Sequence, residues 1–490
     1  MPEDRDRSPW FALAALCVGF FMILVDVTIV SVAQKAIMID LRADLNSVVW
    51  VTSAYLLAGA VPLLVSGRLG DRFGPRPVYL VGLVVFTAAS AWCGCSHTVG
   101  ELIAARAAQG AGSALMTPQT MALITRVFPS AKVGSAMGAW GATAGVATLV
   151  GPLAGGVIVD RLGWQWIFFI NVPVGLVGFV LAARLLPRLP PHRRPLDAAG
   201  VVLSGLGLFS LVLGLQEGER WDWDARPWSL ILLGLVLLAG FVMWEGARPQ
   251  APLMPLELFR DRNFTVSSAV VAAVSFTMSG FMLPVMLYLQ LVLGFSAVHA
   301  ALATTPMALV SGLLAPPLGR LADRCRPMAV IGSGVVLLGA GICWFAAVAT
   351  AGASQWQLVA PMAVVGAGVG ATYSPLGAAA TRNLPAHAAG AGAGVYNTTR
   401  MVGSVLGAAS VGGLMQMLVA DKLPGQGTAR PSDLAGELPV FLRPAFSSAM
   451  SQSMLLCVVV LAFAALGAVC YPSARATSSG DPGAADAPAV

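Results

Sequence analysis

The sequence is poor in charge: only 11% of its 490 residues are Asp, Glu, Lys or Arg, while 57% are hydrophobic. An ordinary soluble domain carries about 25% charged residues. A water-soluble chain of this length could not cover its surface with so few charges. The composition therefore excludes a cytosolic enzyme, and it excludes a nucleic-acid-binding protein despite the net charge of +6. It predicts a polytopic membrane protein.

Several motifs of energy-coupling and catalytic sites are absent from the sequence. Lys35, Lys132 and Lys422 follow Gln, Ala and Asp, so there is no Gly-Lys-Ser/Thr phosphate-binding loop. The four histidines form no HExxH pattern, and the sequence contains no GxSxG motif. The seven cysteines show no paired spacing and lie mostly in apolar runs, where Cys behaves as a small hydrophobic residue. We therefore expect no catalytic residues, no metal site and no bound cofactor.

Long hydrophobic runs make up most of the chain. A helix needs about 20 residues to cross about 30 Å of bilayer hydrocarbon. The first run is too long for a signal-peptide core, so it is interpreted as a spanning helix. The segment at 421–449 is predicted to be a mobile loop, and the tail at 472–490 to be disordered. Fourteen windows are long enough to span, near 10–33, 48–66, 77–96, 100–124, 134–159, 166–186, 197–216, 228–245, 264–290, 300–319, 328–349, 356–380, 395–420 and 450–471.

The basic residues are divided unevenly between the two sides of the predicted membrane. With fourteen spans, nineteen of the 29 Lys and Arg fall on the side of both termini and eight on the other side. Cytoplasmic loops carry the excess of positive charge, which places both termini in the cytoplasm. The strong preference for Arg over Lys is typical of GC-rich bacterial genomes, and we expect the bacterial inner membrane.

A short motif occurs twice in equivalent positions. GRLGDR at 67–72 recurs 252 residues later as GRLADR at 319–324, each time in a tight loop after an even-numbered span. A parallel repeat of this kind indicates two halves related by an axis along the membrane normal. The predicted parts are an N-terminal six-helix half at 1–190, two inserted helices at 191–255, a C-terminal six-helix half at 256–471 and a cytoplasmic tail at 472–490.

The first copy belongs to a longer motif. Gly67-x-Leu69-x-Asp71-Arg72-x-Gly74-x-Arg76 resembles the loop motif of the Major Facilitator Superfamily. The resemblance implies an all-α membrane fold and a cytoplasmic gate loop built on Gly67, Asp71, Arg72, Gly74 and Arg76. In that family the Asp and the arginines join the cytoplasmic faces of the two halves when the transporter opens outward. A carboxylate can do this by accepting hydrogen bonds from a helix N-terminus and from guanidinium groups.

A glycine-rich pattern in the fifth window indicates the direction of transport. Gly151-Pro152-Leu153-Ala154-Gly155-Gly156 follows Gly145 in the same window. Pro kinks a helix, and Gly at four-residue spacing permits close contact with a neighbouring helix. In a fifth span the pattern resembles the motif of antiporters, which are exporters, in this superfamily. The resemblance assigns Gly145, Gly151, Pro152 and Gly155 to that motif.

Further segments resemble the fourteen-span drug:proton antiporter family, the multidrug efflux branch of the superfamily. The chain departs from that family at the end of the first window, where Ser31, Gln34 and Lys35 replace Asn, Leu and Pro. The matching segments are WxWIFxINxPxG at 164–175, LDxxG at 196–200, PLxLFRxRxF at 255–264 and GxGxGxYNxxR at 390–400.

Two charges lie inside predicted spans, where charge is costly and by default functional. At 1.5 Å per residue, Asp26 lies roughly 6 Å and Arg106 about 9 Å below the same membrane boundary, so the two could pair. The alternative is that each side chain reaches the interface separately. The segment around Arg106 also resembles the family's span-four motif, which implies a role in proton transfer. Protonation of Asp26 would break the pair and change which face of the transporter is open.

The predicted function is proton-coupled antiport that exports lipophilic or amphiphilic compounds, such as drugs, by alternating access. The proton gradient supplies the energy, and the resemblance implies a monomer. Two alternatives stay open, namely a proton-coupled uptake symporter, against which the Gly151-Pro152 motif argues, and an exporter of an endogenous lipid or metabolite. The residues in spans that line the cavity in this family are Tyr55, Gln119, Trp140, Phe281, Tyr373 and Asn397, with Arg400 as a further candidate.

Overall fold

The computed structural model describes residues 9–189, 197–247, 254, 256–324, 327–381, 386–422 and 438–469, and this part of the chain is helical. Apolar runs become helices in a membrane because only internal hydrogen bonds can satisfy the backbone there. A π-helical turn, Tyr288–Val292, follows α10. The helices are α1 Pro9–Asp40, α2 Leu45–Phe73, α3 Pro75–Gly94, α4 Val99–Val127, α5 Ser130–Leu162, α6 Trp166–Phe169, α7 Asn171–Leu185, α8 Ala198–Glu217, α9 Ala225–Ala247, α10 Arg262–Leu287, α11 Ala297–Arg324, α12 Pro327–Val348, α13 Gln355–Thr381, α14 Ala386–Lys422 and α15 Arg443–Val469.

Polar side chains cap the N-termini of several of these helices. Asp44, Thr98 and Asp261 each accept a hydrogen bond from the backbone N–H three residues further on. This satisfies an N–H group that has no partner within the helix. The caps explain why α2, α4 and α10 begin where the sequence changes from a short polar connection to an apolar run.

Thirteen stretches of the described residues are helices long and apolar enough to cross a membrane, with α6 and α7 forming one of them. The chain is therefore a multi-pass membrane protein. Helix α4 is absent from the thirteen, although its 29 residues would extend about 43 Å. It carries Glu101, Arg106, Gln109, Gln119 and Arg126, which lower its hydropathy. It packs against α2 and α3 within the bundle.

The end of the first helix and the start of the last helix differ from the predicted boundaries. Helix α1 continues beyond residue 33 to Asp40, so Gln34 and Lys35 are helical. Helix α15 begins at Arg443, within the segment that was predicted to be a mobile loop at 421–449. Residues 423–437 of that segment, and the predicted disordered tail at 472–490, lie outside the described residues.

The helices form two bundles and a hairpin. Helices α1–α7 pack together as the N-terminal bundle, and α10–α15 pack together as the C-terminal bundle. Helices α8 and α9 form an antiparallel hairpin, of which α8 contacts α2 in one bundle and α14 in the other. The two bundles meet mainly through α5 with α11 and through α2 with α14.

Close helix contacts repeat between the bundles with nearly the same displacement as the loop motif, namely 252 residues for one partner of the contact and 256 for the other. In the N-terminal bundle Gly110 of α4 lies against the backbone of Tyr55, and in the C-terminal bundle Gly366 of α13 lies against that of Met307. Tyr55 and Met307 are 252 residues apart. A Cβ atom at either glycine would collide with the neighbouring helix, so these contacts require glycine. The two bundles are built on equivalent helix pairs.

One end of the molecule joins the two bundles. We name it the α1–α2 end, after the connection that it carries, and the opposite end the α2–α3 end. Lys35 Nζ donates to Gln290 O at 3.0 Å, and Gln290 Nε2 donates to Val32 O at 3.1 Å. Asp160 of α5 accepts from the first two N–H groups of α11, both at 3.1 Å. These bonds close the α1–α2 end between α1 and α10 and between α5 and α11.

Candidate ion-coupling site and substrate cavity

Asp26 of α1 and Arg106 of α4 form an ion pair inside the N-terminal bundle. Arg106 Nη1 lies 2.6 Å from Asp26 Oδ2, and the two side chains are 1% and 0% exposed. The structure thus brings the two predicted charges into contact and places neither at a separate interface. Removing one partner of a buried pair leaves an uncompensated charge, which costs about 3–5 kcal/mol.

Further contacts fix the guanidinium of Arg106. Its Nε atom donates to Val51 O at 3.3 Å, and Nη1 donates to Gln109 Oε1 at 2.7 Å. Its central carbon lies 4.1 Å from the ring centre of Tyr55 and 5.7 Å from that of Phe168. A planar, weakly hydrated guanidinium is suited to such stacking. Tyr55, a predicted cavity residue, is therefore buried beneath the ion pair.

Two amides complete the coordination of Asp26. Gln109 Nε2 and Asn171 Nδ2 donate to Asp26 Oδ1 at 2.8 and 3.0 Å, and both also approach Ser90 Oγ, at 3.2 and 3.1 Å. The sequence argument did not select these residues as site residues. Gln109 follows Arg106 by three residues on one helix, and this spacing places both on the same face. Asn171 begins α7, and only the fold brings it to Asp26.

The geometry restricts what this site can do chemically. Both carboxylate oxygens of Asp26 accept N–H groups, which compensates the cost of burying the charge. Protonation of Asp26 would leave Arg106 buried without its counter-charge. Within the described ranges, no group of three or more His, Cys, Asp or Glu residues is placed to hold a metal ion.

The glycines of the antiporter motif place α5 between two helices. The missing side chain of Gly151 leaves room for Thr28 of α1, and that of Gly155 leaves room for Ile29. Gly156, which follows them, lies against the backbone of Val298 in α11 of the other bundle. Pro152 lies within α5, which remains one helix from Ser130 to Leu162. The motif therefore determines how closely α5 approaches α1 and α11 near the α1–α2 end.

The same two helices face open space further along. Among the described residues, no atom outside the local turn of helix lies within 4 Å of the position that a Cβ would take at Gly145 of α5 or at Gly312 of α11. Leu313, next to Gly312, is 73% exposed. Gly145, although predicted with the antiporter motif, thus makes none of the close contacts of Gly151 and Gly155. At Gly156 α5 therefore touches the backbone of α11, whereas the Cβ position at Gly145 is open space.

The predicted gate loop is a single-residue connection between α2 and α3. Gly74 separates the helices with φ of +90°, a conformation that L side chains rarely adopt. Asp71 Oδ1 lies 3.3 Å from Arg126 Nη2 of α4, with both side chains about one third exposed. Arg76 Nη2 donates to Ala183 O of α7.

The remaining loop residues make local contacts. The guanidinium of Arg72 lies 5.4 Å from the ring centre of Phe73, and no atom comes within 4 Å of a Cβ at Gly67. The contacts described for Asp71, Arg72 and Arg76 therefore lie within the N-terminal bundle.

The predicted cavity residues fall into separate places within the described part of the chain. Gln119 of α4 donates to Ser66 O at 2.7 Å and is buried. Trp140 of α5 stacks on Phe20 of α1 with ring centres 4.1 Å apart. Its indole Nε1 is a buried donor with no hydrogen-bond partner among the described residues. Phe281 of α10 is fully buried in the C-terminal bundle, where its ring packs edge-on against Phe345.

The last three candidates lie together in the C-terminal bundle. The hydroxyl of Tyr373 in α13 is 3.1 Å from Ser275 Oγ of α10. Arg400 of α14 is half-buried and within electrostatic range of the hydroxyls of Tyr373 and Tyr396. Asn397, one turn before Arg400, is also half-buried. This group brings polar side chains of three helices to one place, without a carboxylate among the residues named.

Comparisons with known proteins agree with this architecture. Residues 16–408 match the family model of the Major Facilitator Superfamily. The chain is 48% identical over 468 residues to an uncharacterized MFS-type transporter of Mycobacterium tuberculosis, covering 94% of this chain and 81% of that protein. It is 35% identical over 419 residues to the tetracenomycin C resistance and export protein of Streptomyces glaucescens, covering 85% and 78%. A crystal structure of a bacterial homolog of the human lysosomal transporter Spinster, inward-facing and unoccupied, matches with a TM-score of 0.65 at 18% identity, covering 94% and 96%.

Proposed function

The chain belongs to the Major Facilitator Superfamily, and from this premise we propose that it is a proton-coupled antiporter that exports lipophilic or amphiphilic compounds. Members of this family are transporters, and the chain's relatives include a protein named for resistance to and export of an antibiotic. One chain acts as a monomer in the bacterial inner membrane. The proton gradient supplies the energy, and no cofactor takes part.

The observation that carries the proposal is the buried Asp26–Arg106 pair with its amide donors. Transport that is not coupled to an ion does not require a charge pair in the bundle, and such a pair is expensive to maintain there. A carboxylate whose protonation removes the counter-charge of a buried guanidinium links proton binding to a change of conformation. The C-terminal bundle has Met278 at the position 252 residues after Asp26. Coupling is therefore assigned to the N-terminal bundle.

The proposal also assigns the topology. We take α4 as a fourteenth span, because it is long enough and lies inside the bundle, where its polar residues have partners. The parts are then 1–190, 191–255, 256–471 and the tail 472–490, as the repeat predicts. The excess of Arg places the α2–α3 end and both termini in the cytoplasm.

In this orientation the α1–α2 end faces outward. Its closure by the Lys35, Gln290 and Asp160 contacts supports an inward-open state. In the cycle that we propose, a proton from outside reaches Asp26, and its release to the cytoplasm resets the transporter. The Asp71 loop joins the two halves in the opposite, outward-open state.

Export is preferred to uptake because of the Gly151, Gly155 and Gly156 contacts, which bring α5 against α1 and α11 at the outer end. The candidate substrate contacts are Trp140, with its unpartnered indole N–H, and the polar group around Arg400. Aromatic faces and a few polar groups suit amphiphilic compounds.

The test is substrate-triggered proton movement in inside-out vesicles that hold an imposed pH gradient. Addition of a lipophilic drug should collapse the gradient with the unmodified protein and should have no effect with Asp26→Asn. Asp222→Asn is the matched control, since Asp222 is exposed in the α8–α9 connection and Asn tolerates its positive φ. A response that persists in Asp26→Asn would remove Asp26 from the coupling mechanism. Absence of any drug response in the unmodified protein would instead favour an endogenous substrate or uptake.

A further inference from the structure

Arg400 lies in the interior of a spanning helix, as Arg106 does. It belongs to α14, within the spanning stretch Gly394–Lys422. Gly403, three residues further on, lies against the backbone of Ala272, which is the tenth residue after the start of α10. Arg400 is therefore level with a point about seven residues into α10, which is about 10 Å from the α2–α3 end.

The sequence places no acidic residue in the interior of the spans around Arg400. Between residues 262 and 469 it has four acidic residues, two at the ends of spanning stretches and two in the connection between α14 and α15, namely Asp323, Asp421, Asp433 and Glu437. Asp26, which lies inside the N-terminal bundle, is already paired with Arg106. Among the described residues, the guanidinium of Arg400 forms no ion pair with a carboxylate.

Hydroxyl groups lie near this guanidinium instead of a carboxylate. Those of Tyr373 in α13 and Tyr396 in α14 are within electrostatic range of Arg400. The Tyr373 hydroxyl is 3.1 Å from Ser275 Oγ of α10. A hydroxyl both donates and accepts, so Tyr373 can accept from Ser275 and still donate to a bound group. The guanidinium and the two tyrosine O–H groups thus form a set of hydrogen-bond donors on three helices of one bundle.

Arg400 lies on the side of α14 that faces the space between the bundles. Gly403 turns one side of this helix to α10, and Met401 reaches Gly59 of α2 on another side. At about 100° per residue, Arg400 falls between these two sides and away from Gly413, which lies against the backbone of α8. The side chain is half-buried. A compound held between the bundles can therefore reach the guanidinium.

The two intramembrane arginines differ in what compensates their charge. Arg106 has the carboxylate of Asp26 against it, whereas Arg400 has neutral hydroxyls. A charge in a spanning helix is costly unless an opposite charge accompanies it. The planar guanidinium matches a carboxylate with two parallel N–H···O bonds, which are among the strongest hydrogen bonds in proteins. An anionic ligand would therefore supply the counter-charge that the spans around Arg400 lack.

We propose that Arg400 binds an anionic group of the substrate, and that the exported compounds are amphiphiles that carry a carboxylate. Tyr373 and Tyr396 donate to the same carboxylate. The proposal rests on the export proposed above, of which it names the substrate class. In the inward-open state the site is reached from the α2–α3 end, which is the side from which an exported compound enters.

Binding of three matched compounds to the purified full-length protein, in nonionic detergent at neutral pH, tests the proposal. The compounds are 1-pyrenebutyrate, its neutral methyl ester and the cationic 1-pyrenebutylamine, and quenching of tryptophan fluorescence reports their binding. The unmodified protein should bind the carboxylate about tenfold or more tightly than the ester, as expected for hydrogen bonds to a charged group. Arg400→Gln should remove this preference, should leave binding of the ester within about twofold and should strengthen binding of the amine.

Two further variants complete this binding experiment. Arg400→Lys keeps the charge but not the planar fork, so it should retain only part of the preference for the carboxylate. Arg260→Gln is the matched control, because it removes one positive charge from an exposed residue that precedes α10. It should bind all three compounds as the unmodified protein does.

Unfolding temperatures measured without ligand separate binding from a structural role of Arg400. Removal of a charge that has no counter-charge should leave the unfolding temperature of Arg400→Gln at or above that of the parent. An arginine that holds the bundle together would instead give a lower temperature when it is replaced. Addition of 1-pyrenebutyrate should raise the unfolding temperature of the parent and not that of Arg400→Gln, since only a ligand that binds the folded state stabilises it.

Equal affinity of the parent for the carboxylate and the ester would overturn the proposal, as would a carboxylate preference that survives in Arg400→Gln. A destabilised Arg400→Gln that loses all three compounds alike would also overturn it. Binding in detergent involves no proton gradient, so this outcome is independent of coupling. If the preference depends on Arg400 while drug-triggered proton movement is absent from vesicles, proton-coupled export is wrong and the anion site remains. If proton movement occurs and the parent does not prefer the carboxylate, export remains and this inference is wrong.

Discussion

Gly156 of α5 lies against the backbone of Val298 in α11, so that the two bundles touch at the α1–α2 end through main-chain atoms. Gly156→Val should therefore separate them, because a backbone cannot move aside as a side chain can. Overpacking costs about 1–3 kcal/mol, which corresponds to about 5–150-fold in the population of the closed state.

A disulfide in the double variant Val49→Cys/Gly412→Cys measures this closure, because a Cβ at Gly412 of α14 would lie 3.7 Å from the Cβ of Val49 in α2, and disulfide-bonded cysteines have Cβ atoms about 3.8 Å apart. Its yield under mild oxidation at a fixed pH should fall in the presence of Gly156→Val. Gly312→Val in α11 is the control, since the position of its Cβ is open space. Equal yields with Gly156→Val and with the parent protein would show that the α5–α11 contact does not control closure.

Asn171→Ala tests whether the donor from α7 supports the coupling carboxylate. The substitution removes the 3.0 Å bond to Asp26 and the 3.1 Å bond to Ser90. Asp26 Oδ1 keeps the Gln109 donor, so the loss is that of one hydrogen bond to a charged group, about 1.5–3 kcal/mol. Each 1.4 kcal/mol on a barrier is about tenfold in rate. We expect at least a fivefold slower drug-triggered proton movement.

Gln165→Ala is the matched control for Asn171→Ala, because Gln165 is an amide near the exposed end of α5 that donates to Asp40. It should leave the initial rate of proton movement within twofold of the parent. A parent-like rate in Asn171→Ala would show that the Arg106 and Gln109 donors alone suffice.

The length of a hydrophobic run predicts where a helix occurs, but it predicts the residue at which the helix ends less well. The window at 10–33 ends where the apolar composition ends, whereas α1 continues through Gln34 and Lys35 to Asp40. Lys35 has a partner there because the π-helical turn after α10 lies beside α1: its Nζ donates to the carbonyl of Gln290. A pattern within a single segment carries no information about such a partner.

The ion pair and its surroundings show the same limit. Helix rise alone gives Asp26 and Arg106 similar depths. It gives no information on Asn171, which reaches Asp26 only because α7 packs against α1. Glu217 ends a span, a position that by itself predicts a place at the membrane interface, yet Asn46 and Trp50 of α2 cover it. Depth can be read along one helix, while burial depends on the neighbouring helices.

Trp140→Phe should change substrate selectivity without disturbing the fold. Phe retains a ring that can stack on Phe20 but removes the buried indole N–H, which has no partner. Compounds that place a hydrogen-bond acceptor at this N–H should lose about 1 kcal/mol of binding, about fivefold in affinity. Purely apolar compounds should bind as before.

Binding of paired compounds that differ by a single acceptor group measures the effect of Trp140→Phe. Trp166→Phe is the control, as Trp166 is half-exposed and contacts Phe169 edge-on. A uniform loss for every compound would indicate that Trp140 maintains the packing of α5 on α1 and makes no contact with substrate.

Substitutions can separate what the Asp26–Arg106 pair contributes to stability from what it contributes to proton coupling. Asp26→Asn or Arg106→Gln alone leaves one buried charge uncompensated, at a cost of about 3–5 kcal/mol. The double variant carries two neutral amides, and replacing both members of a buried pair is often neutral for stability. Thermal unfolding in detergent should therefore show two destabilised single variants and a double variant close to the parent, a strongly non-additive cycle.

Drug-triggered proton movement should be absent from all three variants, because no carboxylate remains paired with a guanidinium. Proton coupling in the stable double variant would show that the pair maintains the bundle and that another group carries the proton.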